Sequence, residues 1–101
     1  MDKFALWVQM EAKPGKEQEV EAFLKSAQPM AEREQGTRTW NALKLGPNRF
    51  GIFDTFADET GRDAHLNGEI AKALFAKAKD LFAKEPEINK LSILAAKAHG
   101  A

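Results

Sequence analysis

An alternation of apolar and polar residues opens the chain and predicts a first β-strand. From Phe4 to Ala12 the even positions are apolar, whereas Gln9 and Glu11 fall on the other parity. Successive side chains of a strand point to opposite faces of a sheet, so this pattern predicts a strand with one face toward a core. A turn is expected at residues 13–16, where Pro and Gly are adjacent.

The pattern then changes to the 3.6-residue period of an amphipathic helix, predicted over Glu17 to Glu34. Its apolar residues fall on one stripe: Val20, Phe23, Leu24 and Ala27. Pro29 is expected to end or kink this helix near its final turn, because proline has no N–H to donate. Gly36 is predicted to terminate it in the left-handed backbone conformation.

Two further strands are predicted in the middle of the chain. Thr37 to Leu45 is rich in Thr, Trp and Leu, which favour strands, and Phe50 to Phe56 is mostly apolar or aromatic. The connection between them contains Gly, Pro and Asn and is only four residues long. So short a connection predicts an antiparallel hairpin.

A second helical region and a last strand complete the predicted elements. Asp58 is a candidate N-cap residue, and a break at Asn67–Gly68 precedes a helix from Glu69 to Lys84. Residues 88–97 are predicted to form the last strand, and residues 98–101, which include His99, a frayed tail.

The predicted order is βαββαβ, which is the ferredoxin-like arrangement of an α+β domain. We expect residues 1–101 to form one domain, with a four-stranded antiparallel sheet and two helices on one face. The other face of the sheet then carries Trp7 and Gln9, with Trp40 or Leu43 as further candidates, because both parities of the second strand are mixed. A half-apolar open face predicts a homodimer whose two sheets pack face to face.

Composition excludes several classes of function. Lys plus Arg and Asp plus Glu both number 15, so the formal net charge is zero, which argues against a nucleic-acid partner. The chain has no cysteine, which excludes disulfides, thiolate nucleophiles and iron–sulfur clusters. No apolar stretch reaches the roughly 18 residues that a membrane span needs. We therefore expect a cytoplasmic protein with no membrane partner.

His65 is the first candidate for catalysis. The chain has two histidines, no tyrosine and no phosphate-binding glycine motif, so few side chains can transfer a proton near neutral pH. We expect His65 in the first turns of the second helical region, where an imidazole at the edge of an apolar gap can act as a base. A partly buried histidine that bonds a backbone group is the structural alternative. His65 and His99 are too far apart in sequence to suggest a metal site, so no metal is expected.

Asp54 is the second candidate. It shares parity with apolar residues of the third strand, and a buried carboxylate costs several kcal/mol unless it is paired. The expected partners are Arg62, Arg38 or a hydroxyl group, and a solvent-facing ion pair is the structural alternative. Trp40, Asn41 and Phe56 form a third group, which is either part of the core or a platform for a ligand.

Several segments occur in an order that resembles the antibiotic biosynthesis monooxygenase family of small dimeric α/β-barrel proteins. These segments cover nearly the whole chain: Lys13–Glu17, a helix that closes at Gly36, Asn48–Phe50, Phe53–Glu59 and Asp63–Leu66.

The resemblance implies a homodimer with a small-molecule cavity between sheet and helices in each subunit. It also implies a cofactor-independent monooxygenase that oxidises a small aromatic quinol or polyketide-like phenol with dioxygen. In that interpretation His65 or Asp54 is the base. The walls of the cavity are Trp40, Phe50, Phe56 and Leu74, while Asn41 or Arg62 orients the substrate oxygen. The alternative is a non-catalytic module that binds a small molecule or serves a stress response.

The sequence also departs from the family pattern. Many relatives carry Trp at the position of Phe56 and Tyr-Glu at the positions of Trp40 and Asn41. The haem-degrading branch relies on Asn, Trp and His at the positions of Val8, Phe56 and Leu74, so haem is not an expected cofactor.

Overall fold

The computed structural model describes residues 2–97, which form a four-stranded sheet and three helices. The elements are β1 (Phe4–Glu11), α1 (Glu17–Glu32), β2 (Thr37–Lys44), β3 (Arg49–Phe56), α2 (Glu59–Leu66), α3 (Glu69–Leu81) and β4 (Glu87–Ser92). All neighbouring strands are antiparallel, in the order β2-β3-β1-β4. The ferredoxin-like α+β fold is therefore confirmed, with α2 and α3 together forming its second helical region.

The main core lies between the sheet and helices α1 and α3, as the alternation in β1 predicts. Its buried members include Val8 and Met10 of β1, Phe23 of α1, and two predicted cavity-wall residues, Phe50 and Leu74. Burying large apolar side chains of this kind contributes about 1.5 to 3 kcal/mol each. This packing holds the two layers at a fixed distance.

Helix α1 ends differently from the prediction. It continues for one turn after Pro29, to Glu32, and its capping residue Arg33 keeps right-handed helical backbone angles. Gly36 does not adopt the left-handed conformation, because within residues 2–97 only Gly15 has a positive φ, of 84°. That part of the prediction was wrong, and Gly36 has a different structural role.

Gly36 allows the turn after α1 to lie directly against the first turn of α2. A Cβ atom on Gly36 would lie 2.8 Å from the Cα of Gly61, and a Cβ on Gly61 would lie 2.8 Å from the carbonyl oxygen of Gly36. Helix α2 begins there with Asp58, whose Oδ1 accepts a hydrogen bond of 2.7 Å from the backbone N–H of Gly61. The predicted N-cap is therefore present, and the two glycines set the distance between α2 and the turn.

The C-terminal elements are shorter than predicted. Helix α3 stops at Leu81 rather than Lys84, and β4 spans Glu87–Ser92 rather than residues 88–97. After β4 a backbone hydrogen bond of 2.8 Å joins the N–H of Ile93 to the carbonyl of Lys3, and the regular ladder ends. The predicted tail at 98–101, with His99, lies outside the described residues.

The face of the sheet away from the helices carries apolar side chains. Trp7 pairs with Phe53 across β1 and β3, and a Cβ atom on Gly51 would lie 2.4 Å from the Trp7 ring, which therefore lies flat on the sheet. Trp40 packs on the helix side against the core, so of the two candidates Trp40 and Leu43 it is Leu43 that lies on the open face. Leu43 is 42% exposed. Within residues 2–97 no helix combines the length and apolar character needed to cross a membrane.

Candidate functional site

The imidazole of His65 lies between two carboxylates that come from different parts of the chain. Its Nδ1 is 2.5 Å from Oε1 of Glu34, and its Nε2 is 2.9 Å from Oδ2 of Asp54. Glu34 lies in the turn after α1, and Asp54 lies on the helix-facing side of β3. We call Glu34, His65 and Asp54 the carboxylate–histidine cluster.

His65 lies in the last turn of the short helix α2, and so within the first turns of the second helical region, as the sequence suggested. Helix α2 ends just after it at the predicted break, where Asn67 caps the helix and its side chain donates a 2.8 Å hydrogen bond to the Asp63 carbonyl. The close approach of Gly36 and Gly61 brings α2 near the turn that carries Glu34. The local fold thereby determines the position of the imidazole.

The two carboxylates of the cluster have different surroundings. Glu34 is 21% exposed and its Oε1 also accepts a 2.8 Å hydrogen bond from the hydroxyl of Thr37. Asp54 is fully buried, and within residues 2–97 neither of its carboxylate oxygens has a well-aligned hydrogen-bond donor. The 2.9 Å distance to His65 Nε2 is thus a close charge contact whose N–H does not point straight at the oxygen.

These surroundings shift two pKa values. Burial would lower the pKa of His65, but the close contact and charge of Asp54, followed by those of Glu34, outweigh it and raise the pKa above 6.5. Burial raises the pKa of Asp54, and contact with His65 only partly opposes that effect. His65 is accordingly favoured as an imidazolium, and Asp54 is a buried carboxylate with a heightened tendency to take up a proton.

An open cleft of about 290 Å³ leads from the surface to this cluster. It lies between the end of α1 and the helices α2 and α3. The residues that line it are Met30, Arg33, Glu34, Gln35, Gly36, Thr37, Gly61, Ala64, His65, Gly68 and Glu69. Arg33 and Glu69 form an exposed ion pair of 3.5 Å between α1 and α3. A volume of this size lies at the small end of the range for ligand sites in proteins.

Two predicted aromatic residues lie next to the cluster. The Phe56 ring is 5.4 Å from the His65 ring, centroid to centroid, at an interplanar angle of 46°. Trp40 is the cross-strand neighbour of Asp54, and its indole Nε1 is buried with no hydrogen-bond partner among residues 2–97. The structure therefore brings Phe56 and Trp40 together with His65 and Asp54.

Four other predicted site residues lie elsewhere. Phe50 and Leu74 belong to the main core, and Asn41 lies on the open face of the sheet, where it donates a 3.2 Å hydrogen bond to the Phe53 carbonyl. Arg62 is a buried residue of α2 that faces β1 and β4, where it donates a 3.2 Å hydrogen bond to the carbonyl of Leu91.

The structure gives Asp54 a different partner from those that the sequence predicted. His65 contacts Asp54, whereas Arg62 and Arg38 have other acidic neighbours, Glu59 at 3.7 Å and Asp2 at 3.3 Å respectively. The parity argument correctly placed Asp54 among apolar residues. It could not identify which basic residue the fold brings to that carboxylate.

The sequence interpretation missed Glu34 and Thr37. Both lie in or next to a turn, outside any motif, and Glu34 is 31 residues from His65. The one available signal is that Glu34 is the last residue of the predicted helix and lies beyond the end of its apolar stripe. Among residues 2–97, no group of three or more His, Asp or Glu side chains has an arrangement suited to a metal ion.

Comparison with known proteins identifies the class of fold. No family model and no curated protein matches the chain. Two solved structures with this fold are provisionally named antibiotic biosynthesis monooxygenases. The one from Nitrosomonas europaea has 16% identity and a TM-score of 0.81, over 91% of this chain and 99% of that one. The one from Chloroflexus aurantiacus has 17% identity and a TM-score of 0.73, over 97% and 99%.

A further solved structure is much more similar. It is NE2512, a protein of unknown function from Nitrosomonas europaea, with 54% identity and a TM-score of 0.96 over 100% of this chain and 98% of that one. The chain belongs to the same family as NE2512. The chain therefore shares its fold with the two provisionally named monooxygenases, while NE2512 is itself a protein of unknown function.

Proposed function

We propose that this protein is a cofactor-independent monooxygenase that oxidises a small aromatic quinol or phenol with dioxygen. The observation that carries the proposal is the His65 imidazole held between Asp54 and Glu34 at the inner end of an open cleft. The shared fold with two provisionally named monooxygenases supports the same class. Because a fold does not determine a function, the proposal depends mainly on the carboxylate–histidine cluster.

The chemistry requires little from the protein. An electron-rich phenol loses a proton, and its anion reduces dioxygen and combines with it to form a hydroperoxide. For an anthrone, whose methylene group is CH₂, the hydroperoxide then loses water, so that CH₂ and O₂ become C=O and H₂O. Atoms and electrons balance without an external reductant. The protein supplies a proton acceptor, an apolar wall and correct positioning.

The cluster provides the proton acceptor as a unit. With Glu34 and Asp54 ionised and His65 protonated, the three groups carry one negative charge in total. Uptake of one proton from the substrate removes that charge from a partly buried site, where an unbalanced charge is costly. The Phe56 ring packs against His65 from the interior, and Met30 and Ala64 are apolar side chains that line the cleft itself.

We also propose that the protein is a homodimer that joins the open faces of two sheets. The flat Trp7 ring, Phe53 and the exposed Leu43 form an apolar surface on that face. A second copy of the same surface is self-complementary about a two-fold axis. This assembly would leave the cleft accessible, because the carboxylate–histidine cluster lies on the helix side of the sheet.

The second candidate is a binding module without catalysis. The observation that favours it is that both ring nitrogens of His65 already have carboxylate neighbours, as in a structural histidine. Such a protein would bind an aromatic ligand in the cleft and release it unchanged.

Product analysis with isotopically labelled dioxygen separates the two candidates. The purified, metal-free protein is incubated with a panel of quinols, naphthols and anthrones beside protein-free controls. A monooxygenase transfers one labelled oxygen atom into the product faster than autoxidation does. Tight binding of a panel member with no labelled product above the control would favour the binding module.

A further inference from the structure

Glu34 is the more exposed of the two cluster members, Glu34 and His65, that line the cleft. Its side chain is 21% exposed, whereas that of His65 is 8% exposed and that of Asp54 is 1% exposed. Glu34 also lines the cleft, while Asp54 does not. A bound substrate therefore reaches Glu34 first, and the groups lie in the order Glu34, His65, Asp54 from the cleft inward.

The two oxygens of the Glu34 carboxylate are not equivalent. Oε1 contacts both His65 Nδ1 at 2.5 Å and the Thr37 hydroxyl at 2.8 Å. No side chain or backbone N–H of residues 2–97 donates a hydrogen bond to Oε2, which lies on the side of Gly68. A Cβ atom on Gly68 would lie 3.2 Å from Oε2, so the glycine keeps the space beside this oxygen open.

We propose that Oε2 of Glu34 is the atom that accepts the proton of the substrate, and that His65 and Asp54 act behind it as positioning residues. This inference rests on the proposed function and names its catalytic base. Two contacts on Oε1 fix the carboxylate, as general-base catalysis requires. Thr37 and His65 thereby determine which oxygen meets the substrate.

The proposed proton transfer conserves atoms, electrons and charge. The bond from hydrogen to the substrate oxygen, or to the methylene carbon in an anthrone, breaks, and its electron pair stays on the substrate. The proton forms an O–H bond at Glu34 Oε2. Once Glu34 is neutral, His65 transfers its Nε2 proton to Asp54, which leaves all three groups uncharged. The negative charge of the cluster has then moved to the substrate, where it can reduce dioxygen.

The surrounding charges are compatible with this sequence. Besides the members of the cluster, the charged residues that line the cleft are Arg33 and Glu69, which pair with each other at its edge. Because that pair is exposed, its effect on the cluster is small in salt. Burial of Asp54, which raises the pKa of its carboxyl group, favours the final transfer.

The test measures proton removal without dioxygen. Under anaerobic conditions in heavy water, the exchange of the anthrone methylene hydrogens for deuterium is followed by proton NMR. We expect the wild type to accelerate exchange and Glu34→Gln to reduce the enzymatic rate by about 100-fold or more. Glu34→Asp should retain part of the rate, and its pH profile should differ from that of the wild type.

A matched control is Glu32→Gln, which alters an exposed glutamate two residues away that bonds only Gln28 among residues 2–97. It should exchange at the wild-type rate. Thermal unfolding of each variant verifies that it is folded. Thr37→Val, which removes one contact to Oε1 and leaves the carboxylate in place, should lower the rate by less than Glu34→Gln does.

The outcomes separate this inference from the proposed function. Wild-type exchange that persists in Glu34→Gln overturns the role of Glu34, even if oxygen uptake is normal. Exchange that depends on Glu34 but is followed by no oxygen uptake supports the base and overturns the monooxygenase. A wild type that accelerates exchange of no panel member overturns the inference.

Discussion

The Nδ1 atom of His65 lies 2.5 Å from Oε1 of Glu34, although 31 residues separate the two along the chain. This contact joins the last turn of α2 to the turn that follows α1. It occurs beside the backbone contact of Gly36 with Gly61, so the same region of the fold contains both a close backbone contact and the candidate site. Stability and proton chemistry are therefore coupled at this point.

The cluster makes stability depend on pH. The pKa of His65 is raised above 6.5 in the folded protein, so the folded state retains a proton that the unfolded state releases. The stabilisation that this proton gives the folded state is fully present below pH 6.5. It is lost as the pH rises through the pKa of His65 in the folded protein. The pKa of Asp54 is also raised, above 3.8, so its ionisation acts in the same direction.

We therefore expect the free energy of unfolding to decrease as the pH rises above about 6.5. Urea unfolding at a series of pH values measures it. His65→Gln should remove the part of this slope that His65 contributes, whereas the control His99→Gln, which replaces the other histidine, should keep it. A stability that increases with pH in this range would contradict the electrostatic description.

Asp54 should control the protonation of His65 directly. Its close contact and its charge are the largest influences that raise the pKa of His65. Asp54→Asn should therefore lower that pKa, and Glu34→Gln should lower it less. Proton NMR titration of the imidazole resonances measures both, with His99→Gln to assign the two histidine signals and Asp63→Asn as a control. A His65 pKa that Asp54→Asn leaves unchanged would refute the assignment of the contact.

The contact between Gly36 and Gly61 should be intolerant of a methyl group. Gly61→Ala places a Cβ atom 2.8 Å from the carbonyl oxygen of Gly36, and backbone must move to relieve it. We expect a loss of about 1 to 3 kcal/mol in the free energy of unfolding. The control is Gly46→Ala, where no atom lies within 4 Å of the added Cβ, with an expected change within about 0.5 kcal/mol. Equal effects of the two variants would argue against the contact.

The proposed dimer depends on the open face of the sheet. Leu43→Glu places a charge on that face and should produce a monomer at micromolar concentration, because burying an unpaired charge is costly. Phe75→Glu is a matched control, since Phe75 on α3 is 45% exposed and Leu43 is 42% exposed. Light scattering coupled to size-exclusion chromatography gives both masses. A wild type that is already monomeric would refute the proposal.

The sequence predicted the fold well because its local patterns agree with the tertiary structure. Each local pattern fits only one type of structure: the alternation in β1 fits a strand, the apolar stripe of α1 fits a helix, and the short connection fits an antiparallel hairpin. The end of β4 was harder to predict, because Ile93–Leu94 continues the apolar character of a strand without forming the ladder. The left-handed conformation assigned to Gly36 was wrong, because the glycine is required by a contact with Gly61 that no local pattern indicates.

The candidate site was predicted only in part. His65 and Asp54 were recognisable as polar residues in apolar surroundings, and Phe56 follows Asp54 by two positions on the same face. Glu34 has no such local signature, since its partners come from α2 and β2. Asn41 was predicted to face the cavity but lies on the open face. In β2, an edge strand, apolar and polar residues occur at both odd and even positions, so the pattern did not indicate which face of the strand meets the helices.

The most direct test of the account is oxygen uptake by the purified, metal-free protein with the panel of quinols, naphthols and anthrones. We expect uptake above autoxidation in the wild type and in the control Asp63→Asn, and a rate about 100-fold lower in His65→Gln. That result would establish a cofactor-free oxygenase whose chemistry depends on the carboxylate–histidine cluster. Full activity in His65→Gln, or no uptake by the wild type with any member of the panel, would contradict the central claim.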